Sequence, residues 1–152
     1  MAKRDTPFVA GEWYHCFNRS IEKRTAFEDS RDYHRFLELL YLANDQSPLR
    51  RDDLGRRKFE EVLSIPRGKR LVAMSAFCLM PSHFDLVLNE VVDGGITSFM
   101  RKLGTAYTLY FNARYERAGN LFLKPFQSRH VAGDRPLQHL VSYVHTNPAT
   151  LY

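Results

Sequence analysis

The chain has 152 residues, of which 44% are hydrophobic and 13% aromatic, so one folded domain is expected and disorder throughout the chain is excluded. Its formal net charge of +5 and pI of about 9.4 favour an anionic partner, of which nucleic acid is the commonest. No apolar run approaches the roughly 20 residues of a membrane helix, and the first residues lack an apolar signal core, so we expect a soluble, cytoplasmic protein.

The first half of the chain predicts a strand, a helix and a charged insertion. The aromatic-rich stretch at residues 12–20 is typical of a strand. Asp29 or Ser30 is expected to cap the helix that follows, because apolar residues recur at helical spacing after it. Residues 46–70 are dense in charge and predict an exposed basic insertion with a short helix near residues 58–63. A solvated loop is the simpler interpretation of this insertion, and a DNA-contacting arm is the functional one.

The second half predicts a hairpin, a long helix, an extended segment and a final helix. Residues 71–80 are too apolar for a strand with one wet face, and residues 83–90 return as its partner. A long helix is expected to end at Gly119, and Asp134 to cap the final helix. Cys16 and Cys78 lie in strand-like runs and are expected to be small buried side chains. The element order predicts a single α+β domain over residues 1–152, with an antiparallel, ferredoxin-like split βαβ sheet and the helices on one face.

Two polar side chains interrupt the apolar stretch FCLMPSHFDLVLNE. His83 and Asp85 are two apart, so in a strand they share one face, while Phe84, Leu86 and Leu88 share the other and are expected in the core. An imidazole and a carboxylate side by side can bind magnesium, manganese or zinc, although a third ligand must come from elsewhere. A metal-free hydrogen-bonded pair at a strand edge is the alternative.

The final helix offers two further candidates. Tyr143 and Asn147 are four apart and lie beside an apolar stripe, so a tyrosine hydroxyl and an amide oxygen can point into a cleft between helix and sheet. The alternative is that Tyr143 packs at the boundary of the core and Asn147 caps the helix. The residues of the stripe are Leu137, Leu140, Val141 and Val144.

Four ordered segments together resemble a known family. They are YHCFNRSIEKRTAFEDSRDYHRFLELL, AFCLMPSHFDLVLNE, ITSFMRKLGTAYTLYFNARYERAGNLFLKPFQSRHV and LVSYVHTNP. In this order they resemble the single-tyrosine HUH transposases, in the branch of REP-associated tyrosine transposases. The resemblance covers most of the chain from about Trp13 to Pro148 and is weakest in the charged insertion.

The resemblance implies a ferredoxin-like fold and a divalent metal, with magnesium or manganese favoured. His83 matches the first metal-binding histidine of the family, Asp85 the second, and Asn147 the third ligand, while Tyr143 matches the nucleophile. The implied reaction is transposition by nicking and joining single-stranded DNA at hairpin or repeat sequences through a 5′-phosphotyrosine intermediate. A homodimer is also implied. Asp85 departs from the family because histidine is expected there, which leaves open a disabled copy.

Several other residues compete for roles at the site. Tyr115 is the rival nucleophile, whereas Tyr107 and Tyr110 are expected in the core. His15 either lines the site or is satisfied within the sheet, and the second interpretation is preferred. Phe122 and Phe126 are expected in the core, with base stacking as the alternative. The basic residues expected to contact DNA are Arg19, Arg24, Arg101, Lys102, Arg114, Arg117, Lys124 and Arg129.

Three functions remain in competition on the sequence alone. The first is the metal-dependent transposase, and the second is a DNA-hairpin-binding protein of the same fold that has lost catalysis through Asp85. The third is a ferredoxin-like RNA-binding module, which an exposed aromatic sheet face would favour. Only one aromatic-rich strand is predicted, so the third is the weakest.

Overall fold

A computed structural model of the chain describes residues 7–49 and 58–146. The strands are β1 (Trp13–Arg19), β2 (Val72–Met80), β3 (His83–Glu90) and β4 (Gln127–Val131). The helices are α1 (Ser30–Leu42), α2 (Phe59–Leu63), α3 (Gly95–Arg114) and α4 (Asp134–Thr146). The predicted order of strands and long helices is confirmed. No helix in these two ranges is long and apolar enough to cross a bilayer.

The four strands form one antiparallel sheet in the order β2-β3-β1-β4. The predicted hairpin of β2 and β3 is present, and it places Cys78 opposite Asp85. On the other side of β3, β1 places Phe17 opposite Asp85. This order confirms the predicted ferredoxin-like α+β fold. Strands β3 and β1 are the two central strands, so a site built on β3 is flanked by β1 and β2.

The two faces of the sheet are covered by different helices. Leu86 and Leu88 of β3 pack in the main core with α1 and α3, together with Phe36 and Tyr107. Val87 points the other way and packs in a second, smaller cluster with α4. The prediction of helices on one face is therefore correct for α1 and α3 and wrong for α4. The reason is that β2 also has apolar side chains on this face, Ala76, Cys78 and Met80, which together with Val87 require a cover.

A buried carboxylate fastens α1 to the end of α3. Asp32 is fully buried and accepts hydrogen bonds from the hydroxyl of Tyr110 at 2.8 Å, the hydroxyl of Tyr115 at 2.7 Å and the guanidinium of Arg114 at 2.7 Å. Burial alone would raise the pKa of Asp32, but these hydrogen bonds and one from the backbone N–H of Glu28 outweigh burial and lower it. The carboxylate of Asp32 is therefore a stable anion within the core.

The predicted start of α1 agrees with the structure, whereas α3 ends at Arg114 rather than at Gly119, and Asp134 is the first residue of α4 rather than its cap. Asp29 is the N-cap of α1, because its side chain accepts a hydrogen bond from the backbone N–H of Asp32. The short helix of the charged insertion is present as α2, and it buries Val62. The insertion is therefore partly packed against the fold, while residues 50–57 lie outside the described part of the chain. Of the extended segment before α4, only β4 forms a strand.

Candidate active site and nucleic-acid groove

The predicted pair lies on the α4-side face of β3. Strand alternation turns Phe84, Leu86 and Leu88 into the main core, which leaves His83 and Asp85 together on the opposite face. His83 Nε2 lies 3.7 Å from Asp85 Oδ2, and the His83 side chain is 39% exposed whereas that of Asp85 is 9% exposed. The His83 side chain is therefore partly exposed to solvent, whereas that of Asp85 is largely buried.

A third polar side chain joins this pair from β1. His15 Nε2 lies 2.8 Å from Asp85 Oδ1. His15 is satisfied within the sheet, as the preferred interpretation expected. Because its partner is Asp85, His15 also belongs to the candidate site. Sequence patterns missed this contact because the two residues are 70 positions apart and meet only through the pairing of β1 with β3.

One oxygen of Asp85 is left without a partner. Oδ2 is buried and accepts no hydrogen bond in the described part of the chain, whereas Oδ1 is bound by His15. A buried anionic oxygen is costly unless something positive meets it, and His83 Nε2 is close enough to share a cation with it. The donor set of imidazole and carboxylate therefore fits a divalent metal at two of its ligands.

A complete metal cluster does not follow from these residues alone. Within residues 7–49 and 58–146, no group of three His, Cys, Asp or Glu side chains is arranged to hold a metal ion. Cys78 faces Asp85 across the hairpin, but burial and the charge of Asp85 raise the pKa of its thiol to about 11. The thiol is therefore neutral at physiological pH while no metal is bound. Asn147, the predicted third ligand, lies outside the described part of the chain.

Tyr143 lies on α4, the helix that covers this face. Val144 is fully buried against β2 and β3, and Leu140 and Val141 pack beside it. Tyr143 is one position from Val144 and is 59% exposed. Its hydroxyl accepts and donates no hydrogen bond among the described residues, so it is accessible to a substrate.

The rival tyrosine lies on the other face of the sheet. Tyr115 packs against the α1 and α3 core, and its hydroxyl donates to Asp32 at 2.7 Å. Burial and this hydrogen bond raise the pKa of Tyr115 above its usual range. Tyr107 is fully buried and Tyr110 partly so, as predicted. These three tyrosines stabilise the fold, and His83 lies across the sheet from them.

A groove of about 560 Å³ opens beside His83. Its walls come from the end of β1, the turn after it, the β2–β3 turn and β4. The residues that line it are Phe17, Asn18, Arg19, Lys23, Ser82, His83, Leu123, Gln127 and Arg129. The guanidinium of Arg129 lies over the ring of Phe17, 6.0 Å from its centroid. Cations and one aromatic ring on an open sheet face form a surface suited to a nucleic-acid backbone.

The predicted DNA-contacting residues divide into two groups. Arg19 and Arg129 line the groove, and Lys124 follows the groove residue Leu123. Lys23 was missed, although its position in the loop after β1 brings it to the same groove, where its backbone has a positive φ of 55°. Such strain is commonest at functional sites.

The remaining basic residues lie away from the groove or have structural partners. Arg114 is paired with Asp29 and Asp32, and Lys102 donates to the backbone carbonyls of Asp45 and Ser47. Arg117 binds the loop after α3. The guanidinium of Arg24 lies 5.5 Å from the ring centroid of Phe111, and Arg101 is exposed on α3. The sequence shows that these residues are positively charged. It does not show that Asp29 and Asp32 lie close enough to pair with Arg114.

The predicted core phenylalanines also agree with the structure. Phe122 is 6% exposed and contacts Phe84 and Tyr107, so it is part of the main core. Phe126 stacks on Phe8 at a centroid distance of 6.2 Å. Base stacking by these two rings is therefore not favoured, and Phe17 is the aromatic side chain at the groove.

Comparison with known proteins gives matches to solved structures alone. No protein-family model matches the sequence, and no curated protein does. A REP-associated tyrosine transposase bound to a REP hairpin has a TM-score of 0.65 and 14% identity, covering 99% of this chain and 74% of that one. A crystal structure from Deinococcus radiodurans R1, described as a candidate transposase, has a TM-score of 0.51 and 13% identity, covering 95% of this chain and 97% of that one. Both confirm the fold expected from the resemblance in sequence.

Proposed function

We propose that the chain is a REP-associated-type tyrosine transposase that nicks and rejoins single-stranded DNA at hairpin or repeat sequences, using a divalent metal. One observation carries this proposal. A buried, unpartnered oxygen of Asp85 lies 3.7 Å from His83 Nε2, beside a cationic groove and on the sheet face covered by the Tyr143 helix. The matched structures support the same function, because one of those proteins holds a REP hairpin.

The proposed chemistry is an in-line displacement at phosphorus. The Tyr143 oxygen forms a bond to the scissile phosphorus, and the bond from phosphorus to the 3′-oxygen breaks. The phenol proton passes to water or a base, and the departing oxygen takes a proton to become a 3′-hydroxyl. Rejoining is the reverse displacement by a 3′-hydroxyl, so no external energy source is required. The product of cleavage is a 5′-phosphotyrosine.

His83, Asp85 and Asn147 are the residues that would hold the metal. A divalent cation bound there supplies Lewis-acid stabilisation of the phosphate oxygens. Mg²⁺ and Mn²⁺ suit the carboxylate of Asp85 and the amide oxygen of Asn147. Tyr143 is 59% exposed, so its side chain is open to a bound DNA backbone. A homodimer is expected from the resemblance alone.

Covalent trapping tests the proposal. The full chain is incubated with labelled single-stranded hairpin DNA and either Mn²⁺, Mg²⁺ or EDTA, then denatured. We expect a labelled band at the mass of protein plus DNA fragment in either metal and none in EDTA, since the phosphotyrosine bond survives denaturation. An equal amount of adduct in EDTA would refute the proposed metal requirement. The absence of adduct under every condition would refute the proposed transposase activity.

The groove makes a separate prediction about affinity. Replacing both Lys23 and Arg129 with glutamine should weaken binding of single-stranded DNA and flatten its salt dependence, by about 0.7 in the log–log slope for each phosphate that is no longer neutralised. Fluorescence anisotropy over a range of salt concentrations measures both quantities. Arg101→Gln is the matched control, because that arginine is exposed on α3 rather than in the groove. A larger effect of the control would place the DNA on α3 instead.

A hairpin-binding protein without catalysis is the second candidate. Asp85 stands where the family has histidine, and one of its oxygens is already taken by His15. If binding persists without an adduct, and Asp85→His creates the adduct, this second function is correct. The RNA-binding alternative has less support, because Tyr14 of β1 is buried in the main core and the sheet offers no row of exposed aromatic side chains among its described strands.

A further inference from the structure

The unusual feature of the site is that Asp85 has a dedicated partner, His15. The two atoms that meet are His15 Nε2 and Asp85 Oδ1, at 2.8 Å, and both side chains are largely buried, at 14% and 9% exposed. An ionised carboxylate only accepts hydrogen bonds, so the ring nitrogen is the donor. The contact therefore uses one oxygen of the carboxylate and leaves the other free.

We propose that His15 is the positioning residue that makes Asp85 a metal ligand. A carboxylate rotates readily about its last bond, and a donor on one oxygen fixes the direction of the other. With Oδ1 held by His15, the unpartnered Oδ2 is presented beside His83 Nε2. His15 thus compensates for the absence of a second histidine on β3. This inference deepens the proposed function and rests on it for the choice of a divalent cation.

The sheet holds His15 in the orientation that this role needs. His15 is opposite Val87 in the β1–β3 register, so its ring reaches diagonally to Asp85. The ring of Phe17 packs on that of His15 at a centroid distance of 4.7 Å. Phe17 itself is opposite Asp85 in this register and lines the groove, whereas His15 does not. The imidazole is therefore confined between its strand neighbour and the carboxylate.

A purely structural role is the competing explanation. A buried carboxylate needs a hydrogen bond whether or not it binds metal, and His15 supplies one. The two explanations differ in metal affinity, because a purely structural partner should affect stability and leave the Mn²⁺ affinity of the folded chain unchanged. If His15 acts through the carboxylate, it should lose its effect on metal binding when histidine occupies position 85, because no carboxylate remains to be oriented.

The test measures Mn²⁺ binding by the DNA-free full chain, using titration calorimetry and the Mn²⁺ EPR signal. His15→Ala should weaken Mn²⁺ binding about 10- to 100-fold, the usual effect of removing a residue that orients a ligand. His15→Gln keeps an N–H donor and should lose less. His130→Ala is the matched control, because that histidine pairs with the carboxylate of Glu12 and lies opposite Tyr14, on the other face of the sheet.

The decisive comparison uses Asp85→His with and without His15→Ala. We expect His15→Ala to change Mn²⁺ affinity by no more than about threefold in that background. An equal loss in both backgrounds would overturn the inference, and so would a wild-type chain that binds no Mn²⁺. Thermal melting of each variant identifies a loss caused by unfolding, and His15→Gln then carries the test. Mn²⁺ binding that depends on His15, without any DNA adduct, would reject the proposed function and leave this inference standing.

Discussion

Replacing Tyr143 with phenylalanine is expected to abolish the covalent DNA adduct. The substitution removes only the attacking oxygen, so the rate of adduct formation should fall on the order of 1000-fold or more. DNA affinity should stay within about twofold of the wild type, because the side chain is exposed and makes no hydrogen bond within the described residues. Gel analysis of the adduct and anisotropy of the same labelled hairpin measure the two quantities.

Tyr115→Phe is the matched control for this experiment. It removes a hydroxyl of the same kind from the rival residue, whose oxygen donates to Asp32 on the opposite face of the sheet. The adduct should form at the wild-type rate, with a loss of stability of about 1 kcal/mol from the missing hydrogen bond. An adduct that survives in Tyr143→Phe and disappears in Tyr115→Phe would reverse the assignment of the nucleophile.

Removing the carboxylate of Asp32 is expected to have the largest effect on stability. Asp32→Ala leaves the hydroxyls of Tyr110 and Tyr115 and one hydrogen bond of Arg114 without an acceptor inside the fold. The free energy of unfolding should fall by about 3 kcal/mol or more, as when one partner of a buried network is deleted. Urea unfolding followed by circular dichroism measures the loss. Asp93→Ala, at an exposed aspartate, should change stability by less than about 0.5 kcal/mol.

The same network predicts how stability depends on pH. The hydrogen bond from Arg114 lowers the pKa of Asp29 to about 2, and the pKa of Asp32 also lies below the ordinary value of 3.8. A carboxylate with a lowered pKa stabilises the fold fully above its unfolded value and loses that contribution as pH falls through its folded value. Acid should therefore destabilise the wild type progressively from about pH 4 to about pH 2, and Asp32→Ala should show a shallower decline. A decline of the same steepness in both proteins would mean that other carboxylates control acid unfolding.

Local periodicity was sufficient to predict one half of the site. The alternation of β3 turned Phe84 and Leu86 inward, so His83 and Asp85 had to share the opposite face. The capping role of Asp29 followed from its place before a helical stripe in the same way. Each of these predictions depends only on residues within a few positions of one another, which is why a single sequence can support them.

The other half of the site depends on contacts between distant strands. The hydrogen bond from His15 to Asp85 requires β1 to lie beside β3 in one particular register. The periodicity of each strand does not predict which strands pair or in which register. The pairing of Arg114 with Asp29 and Asp32 likewise spans more than 80 positions. The position of α4 was accessible in principle, because the doubly apolar residues 71–80 required cover on both faces.

The packing of the two long helices gives the fold an uneven resistance to local opening. Helix α3 buries seven residues, whereas within Asp134–Thr146 only Val144 is fully buried. Segments with few buried apolar contacts open at a lower free energy than the core around them. Backbone amides of α4 should therefore exchange with solvent sooner than those of α3. The proposed nucleophile, Tyr143, would then lie on a helix that opens more readily than α3, which would let it reach a second DNA strand, or a second copy of the chain, while the sheet and its groove stay folded.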